Sequence, residues 1–197
     1  MRPLSFLASA VFAVALSAFA ADSDTSGSNV TPPGAKTSPK TKALEAGAIL
    51  LQNKPPVEAL NAYLNGLHFY NGNMKGQMDA DHYCALLNEE VIQCVIYDGN
   101  ARDAKIMGIE YIISEQLFKG LPAEEKALWH SHVHEVKSGT LVAPGIPDVA
   151  EKELMKKLVS TYGKTWHTWH TDRHRELPIG VHRQPWPEGE VRCSSSV

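Results

Sequence analysis

The chain has 197 residues, with 19 Lys and Arg against 22 Asp and Glu and a net charge of -3. Hydrophobic residues make up 43%, an ordinary globular share that excludes a wholly disordered chain. The slight acidic excess argues against a dedicated nucleic-acid binder, whose face needs surplus Lys and Arg. Three Cys are too few for a disulfide-framed miniprotein.

Residues 1–20, MRPLSFLASAVFAVALSAFA, have the layout of a secretory signal peptide. One positive charge, Arg2, precedes an apolar run from Leu4 to Phe19, and Ala18-Phe19-Ala20 offers a small-x-small cleavage pattern. The run is short for a membrane span, and no basic stop-transfer cluster follows it. Cleavage after Ala20 or Ala21 is expected, giving a secreted or periplasmic protein with no transmembrane span once the signal is gone.

Residues 21–40 are dominated by Ser, Thr, Pro and Gly. Such a stretch buries too little to offset its ordering entropy, so it reads as a flexible linker. The folded domain is expected over residues 41–183, with a loose tail over 184–197.

TKALEAGAILLQNK (41–54) places Leu44, Ala48 and Leu51 on one helical face and is stopped by Pro55-Pro56. PVEALNAYLNGL (56–67) reads as a second helix opened by Pro56 and ended at Gly66. DHYCALLN (81–88) and VIQCVIYD (91–98) flank a short polar link and predict a β-hairpin. KIMGIEYIIS (105–114) is an Ile-rich strand. SEQLFKGL (114–121) and PAEEKALW (122–129) read as short helices, opened by Ser114 and Pro122. HSHVHEVKSGTLVAP (130–144) alternates polar and apolar residues and predicts a second hairpin turning at Ser138-Gly139. PDVAEKELMKKLVSTYG (147–163) is the clearest amphipathic helix, and KTWHTWHTD (164–172) suits a strand. The order predicts a single α+β domain, a mainly antiparallel sheet with flanking helices.

Several blocks together point to a family. LEAGAILLQNKPP (44–56), LHFYNGNM (67–74), DADHYCALLNEEVIQCVIYD (79–98), GIEYIISEQLFKGLPAEEKALWHSHVHEVKSG (108–139) and YGKTWHTWHTD (162–172) resemble the oil body-associated protein family over about residues 44–181. That family was first described in plant seeds and has bacterial and fungal relatives. The resemblance implies a lipid surface as partner in the plant members, and neither an established enzyme activity nor established catalytic residues. The chain departs from the family pattern in its export signal and in LPIGVHRQPWPEGEVR (177–192). An exported chain does not meet cytosolic droplets.

Nine His are present, three of them in His130-Ser131-His132-Val133-His134. On a strand these three project from one face, about 6.5 to 7 Å apart per two residues. Imidazoles so placed either bind a divalent ion such as Zn, given a further ligand, or stand as hydrogen-bonded surface groups. Within the matched block His130 and His132 rank above His134. Glu135 falls on the opposite face under strict alternation and becomes a ligand only if the strand bulges. His167 in TWHTWH can stand beside His132 if its strand pairs with 130–137, and His82 is another matched His. The candidate metal set is therefore His82, His130, His132 and His167, with satisfied core histidines as the alternative for His82 and His167.

No G-x-S-x-G elbow, phosphate loop or HExxH motif is present. No catalytic residue is assigned. Cys84 and Cys94 lie on the two arms of one predicted hairpin, open to either a disulfide or two buried thiols. The sequence thus predicts a binding or structural module without demonstrated catalysis. The alternative is a metal-dependent enzyme built on the His cluster.

Overall fold

The computed structural model describes residues 26–70 and 73–179. The expected signal peptide and the tail over 184–197 lie outside the described residues. In chain order the elements are α1 (Pro39–Leu51), α2 (Pro55–Glu58), β1 (Ala62–Tyr70), β2 (Asn73–Leu86), β3 (Val91–Tyr97), β4 (Ile106–Ser114), α3 (Glu115–Lys119), α4 (Ala123–Lys126), β5 (His130–Ser131), α5 (Val133–Ser138), α6 (Asp148–Leu158) and β6 (Thr161–His167). The six strands form one antiparallel sheet in the order β1-β2-β3-β4-β6-β5. The expected α+β class and antiparallel sheet are both present. No helix among the described residues is long and apolar enough to cross a membrane.

The local chemistry explains most boundaries. The β2–β3 link turns on Asn88, whose side-chain oxygen accepts from the backbone N–H of Glu90 and Val91 at 2.8 and 2.9 Å. Ser114 ends β4 and caps α3, its hydroxyl accepting from the Leu117 N–H. Gly139 takes a left-handed φ of 74° at the end of α5, a conformation glycine adopts at little cost.

Three expectations are corrected. PVEALNAYLNGL is not one helix: Pro55 and Pro56 seed a single turn, and the chain becomes β1 at Ala62. The segment 130–144 is not a hairpin. It runs as strand for two residues and then coils into α5. The helix expected over 147–163 ends at Leu158, and Thr161, Tyr162 and Gly163 already belong to β6. Part of the stretch read as a linker is also tied down. Val30 is buried, and Ser28 donates to the Asp98 carboxylate at 2.6 Å.

Directly paired residues share a sheet face, so the registers lay out the interior in rows. Leu64, His82, Ile96, Gly108 and His167 form one row across five strands. Cys84, Cys94, Glu110 and Thr165 form the next, and Ile112, Gly163 and His130 the one beyond. Leu64, Cys84, Ile92, Cys94 and Ile112 pack with Leu141, Ala143 and Leu158 into the main core, against which Val136 of α5 and Leu154 and Met155 of α6 also pack. Met78, Ala80, Ile96 and Met107 make a second apolar cluster. The segment after α5 returns to the free edge of β1, where Asn65 and Val142 exchange backbone hydrogen bonds at 2.9 Å each way. That return closes the sheet over its own interior. The two cysteines are joined: Cys84 and Cys94 stand opposite each other and form a disulfide.

Candidate metal centre

Glu110 is the hub. It projects from β4 into the interior and is 2% exposed. Its two carboxylate oxygens face different partners. Oε2 lies 3.1 Å from His82 Nε2 of β2. Oε1 lies 3.2 Å from His130 Nε2 of β5 and 3.5 Å from His132 Nε2. His82 Nε2 is in turn 3.0 Å from His68 Nε2 of β1. All four histidines are buried.

The space for this assembly comes from Gly163. A Cβ at that position would sit 2.0 Å from Glu110 Oε1 and 2.7 Å from His130 Nε2. No other residue type fits beneath the carboxylate. The turn into α5 does the remaining positioning. His132 stands at the N-cap of α5, and Glu135, three residues on, returns on the same side with Oε2 3.9 Å from His132 Nε2. Strict strand alternation had placed Glu135 on the opposite face; the helix brings it inward. His134 is exposed and takes no part.

Two tautomers can be inferred from the surroundings. His82 Nδ1 faces the Ala80 carbonyl at 3.0 Å, which can only accept, so Nδ1 carries the proton. His132 Nδ1 faces the Thr161 hydroxyl at 2.8 Å, and that hydroxyl donates onward to the Leu158 carbonyl at 2.7 Å. Nδ1 of His132 is therefore the donor there as well. In the neutral rings both Nε2 lone pairs point at carboxylate oxygens. Lone pair against carboxylate is repulsive unless a proton or a cation lies between them. Imidazoles fixed through Nδ1 with Nε2 presented inward are the usual outer-shell arrangement of metal-bound histidines.

The charges are consistent with this. Burial pushes Glu110 upward, but the rings of His130, His132 and His82 outweigh it and hold the carboxyl well below the usual carboxylate range. Burial pushes His130 down, yet the adjacent Glu110 raises it above the ordinary histidine value overall. His68 is held well below it by burial and by the neighbouring His82 and His167. Glu110 Oε1 and Glu135 Oε1 are buried without an aligned hydrogen-bond donor, although His130 stands close to the former. Orphaned carboxylate oxygens among imidazoles form a donor set suited to a divalent ion.

The structure divides the sequence-derived set. Glu110, His130 and His132 form one group able to hold a metal ion, and His68, His82 and Glu110 form another. His82 thus joins His130 and His132 only through Glu110. His167 does not stand beside His132, because β5 pairs with Tyr162 and Gly163 rather than with His167. His167 instead meets His68, Nε2 to Nδ1, at 2.9 Å. Burial, then His170 and His82, pushes it down to about 3, so it is neutral near pH 7. Sequence reasoning missed His68 and Glu110. Glu110 carries the only charge in IMGIEYIIS, and His68 shares a face with Leu64 and Gly66 once 62–70 is read as a strand. Beside these groups lies a small cavity of about 10 Å³ lined by Gly66, His68, His82, Glu110, His130 and His132 among others. That is room for about one water-sized body.

Comparison with known proteins places the chain. Residues 54–186 match the family model described as "Protein of unknown function (DUF1264)". Oil body-associated protein 1B of Arabidopsis thaliana is 45% identical over 159 residues, which is 81% of this chain and 65% of the relative. Oil body-associated protein 1A of Zea mays is 44% identical over 153 residues, 78% of this chain and 64% of the relative. Oil body-associated protein 2A of Zea mays is 40% identical over 150 residues, 76% of this chain and 60% of the relative. The chain therefore spans less than two thirds of the length of these curated relatives. No solved structure matches. The chain belongs to the DUF1264 family of proteins of unknown function and is related to the plant oil body-associated proteins.

Proposed function

We propose that this protein is a metal-binding module, with a divalent transition ion such as Zn held by Glu110, His130 and His132 and by Glu135 as a fourth donor. The carrying observation is the pair of orphaned carboxylate oxygens, Glu110 Oε1 and Glu135 Oε1, buried beside imidazoles that present Nε2 inward. Nitrogen and carboxylate donors together favour Zn, Mn, Fe or Ni over Ca or Mg. The ligands are buried and the adjacent cavity admits one solvent-sized body. These features support a binding and structural role above turnover of an organic substrate. The ion would join strand β4 to β5 and α5 across the connection that carries α3 and α4.

The purified protein is expected to contain at least one equivalent of metal by elemental analysis. Chelator-stripped protein should gain stability on refilling, about 2.7 kcal/mol when free metal is a hundred times its dissociation constant. His132→Ala should lower the metal content, and His134→Ala should not. A metal-free protein whose melting temperature ignores added Zn, Mn and Ni would overturn the reading.

The module is further proposed to work outside the cytosol. Arg2, the apolar run to Phe19 and the Ala18-Phe19-Ala20 pattern support export. N-terminal sequencing of exported material should begin at residue 21 or 22; a protein still beginning at Met1 contradicts it.

A further inference from the structure

We infer that the centre is binuclear, with Glu110 bridging two ions about 3.5 to 4 Å apart. The inference rests on the metal-binding reading above and adds a second ion, held by His68 and His82. Glu110 is the one residue common to the two candidate groups among the described residues. Each of its oxygens turns to a different group: Oε2 to His82 at 3.1 Å, Oε1 to His130 at 3.2 Å and to His132 at 3.5 Å. A carboxylate that presents one oxygen to each of two ligand sets is the geometry of a bridging ligand.

The spacings agree with coordination as well. Metal–ligand bonds of about 2.0–2.1 Å put neighbouring donor atoms roughly 2.8–3.4 Å apart in octahedral or tetrahedral sites. The second group has edges of 3.0 Å between His68 and His82 and 3.1 Å between His82 and Glu110. His68 and His82 face each other through Nε2. His82 has committed its own proton to Ala80 on the far side of its ring. Its Nε2 therefore faces both a carboxylate oxygen and a second imidazole nitrogen. A cation at that point satisfies all three atoms together.

The His68 ring is also held in place from behind. His68 Nδ1 rests on His167 Nε2 at 2.9 Å, which fixes the His68 ring in the same way that Thr161 fixes His132. This assigns His167, placed among the ligands by its sequence context, to positioning rather than ligation. The water-sized cavity beside the groups is lined by residues of both, and a solvent molecule shared by both ions would fit there.

Metal titration of the chelator-stripped full chain tests the proposal, with Zn²⁺ for stoichiometry and Mn²⁺ for coupling. Saturation at two ions per chain is expected. His68→Ala and His130→Ala should each bring it to one, with circular dichroism and melting curves confirming that both variants fold. Electron paramagnetic resonance of the Mn²⁺-loaded protein should show exchange coupling at two equivalents, and the coupling should vanish in either variant. Saturation of wild type at one ion, unchanged by His68→Ala, overturns the binuclear centre and leaves the single-ion reading standing. Uptake of no ion overturns both. The wild-type stoichiometry decides the matter even if a variant fails to fold.

Discussion

Gly163 shows how one missing side chain makes room for a charge. It lies between Ile112 of β4 and His130 of β5 in the sheet, beside Glu110 two positions back along β4. Any Cβ there would meet Glu110 Oε1 at 2.0 Å and the His130 ring at 2.7 Å. These neighbours are the buried tips of the two groups proposed as ligands, not flexible surface atoms that can swing away. Gly163→Ala is therefore expected to cost about 1–3 kcal/mol of stability by overpacking, read by denaturant unfolding. Metal affinity should fall about tenfold or more as Glu110 and His130 are driven apart. An alanine variant with wild-type metal content would show that the carboxylate does not need its present position, and the site as described would be wrong.

The elements differ in how openly the sequence announces them, and the reasons are physical. VIQCVIYD is a short, largely apolar, β-branched run bounded by Asn88 on one side and Asp98-Gly99-Asn100 on the other, and β3 buries Ile92, Cys94 and Ile96 on one face. Residues 56–68 carry two periods at once. Leu60, Leu64 and Leu67 fit a helical stripe, while Leu64, Gly66 and His68 fit one face of a strand. Pairing with the long β2 decides for the strand, since a full ladder outweighs a weak helical propensity. That misreading also hides His68. Glu110 is obscure for a different reason. β4 is apolar on both faces, and Ile109 and Tyr111 are about 40% exposed while Met107 and Ile112 are buried. Nothing in IMGIEYIIS says which face is inside, so a lone acid there reads as solvent-facing. His82, His130 and His132 are legible because they sit in distinctive blocks. Their grouping is not, because it depends on how far the sheet curls and on α5 starting at Val133 rather than a strand continuing.

At the scale of the whole molecule, the proposed ligands come from β1, β2, β4, β5 and α5, between residues 68 and 135. The N-terminal stretch contributes none of them, yet it is not idle. Ser26 and Asn100 hold each other: the Ser26 N–H donates to the Asn100 side chain at 2.8 Å, and the Ser26 carbonyl accepts from Asn100 N at 3.0 Å and from Ala101 N at 3.2 Å. Ser28 binds Asp98, and Val30 is 4% exposed. This strap lies across the turn between β3 and β4. Gly99 permits the approach, since a Cβ there would stand 2.4 Å from the Ser26 carbonyl oxygen. Burying one valine contributes about 1.5–3 kcal/mol, which for a domain of this size is a melting shift of roughly 3–10 °C. A protein beginning at residue 36 keeps the Ser38 cap of α1 and loses the strap. Compared with one beginning at residue 22, it should melt lower by that amount and hold the same metal content, since the strap touches no proposed ligand. Val30→Asp in the longer protein should shift melting in the same direction. Equal melting temperatures for the two lengths would mean that residues 26–30 contribute nothing to the fold and act as a linker after all. A loss of metal on truncation would mean that the strap supports the β3–β4 pair on which Glu110 stands.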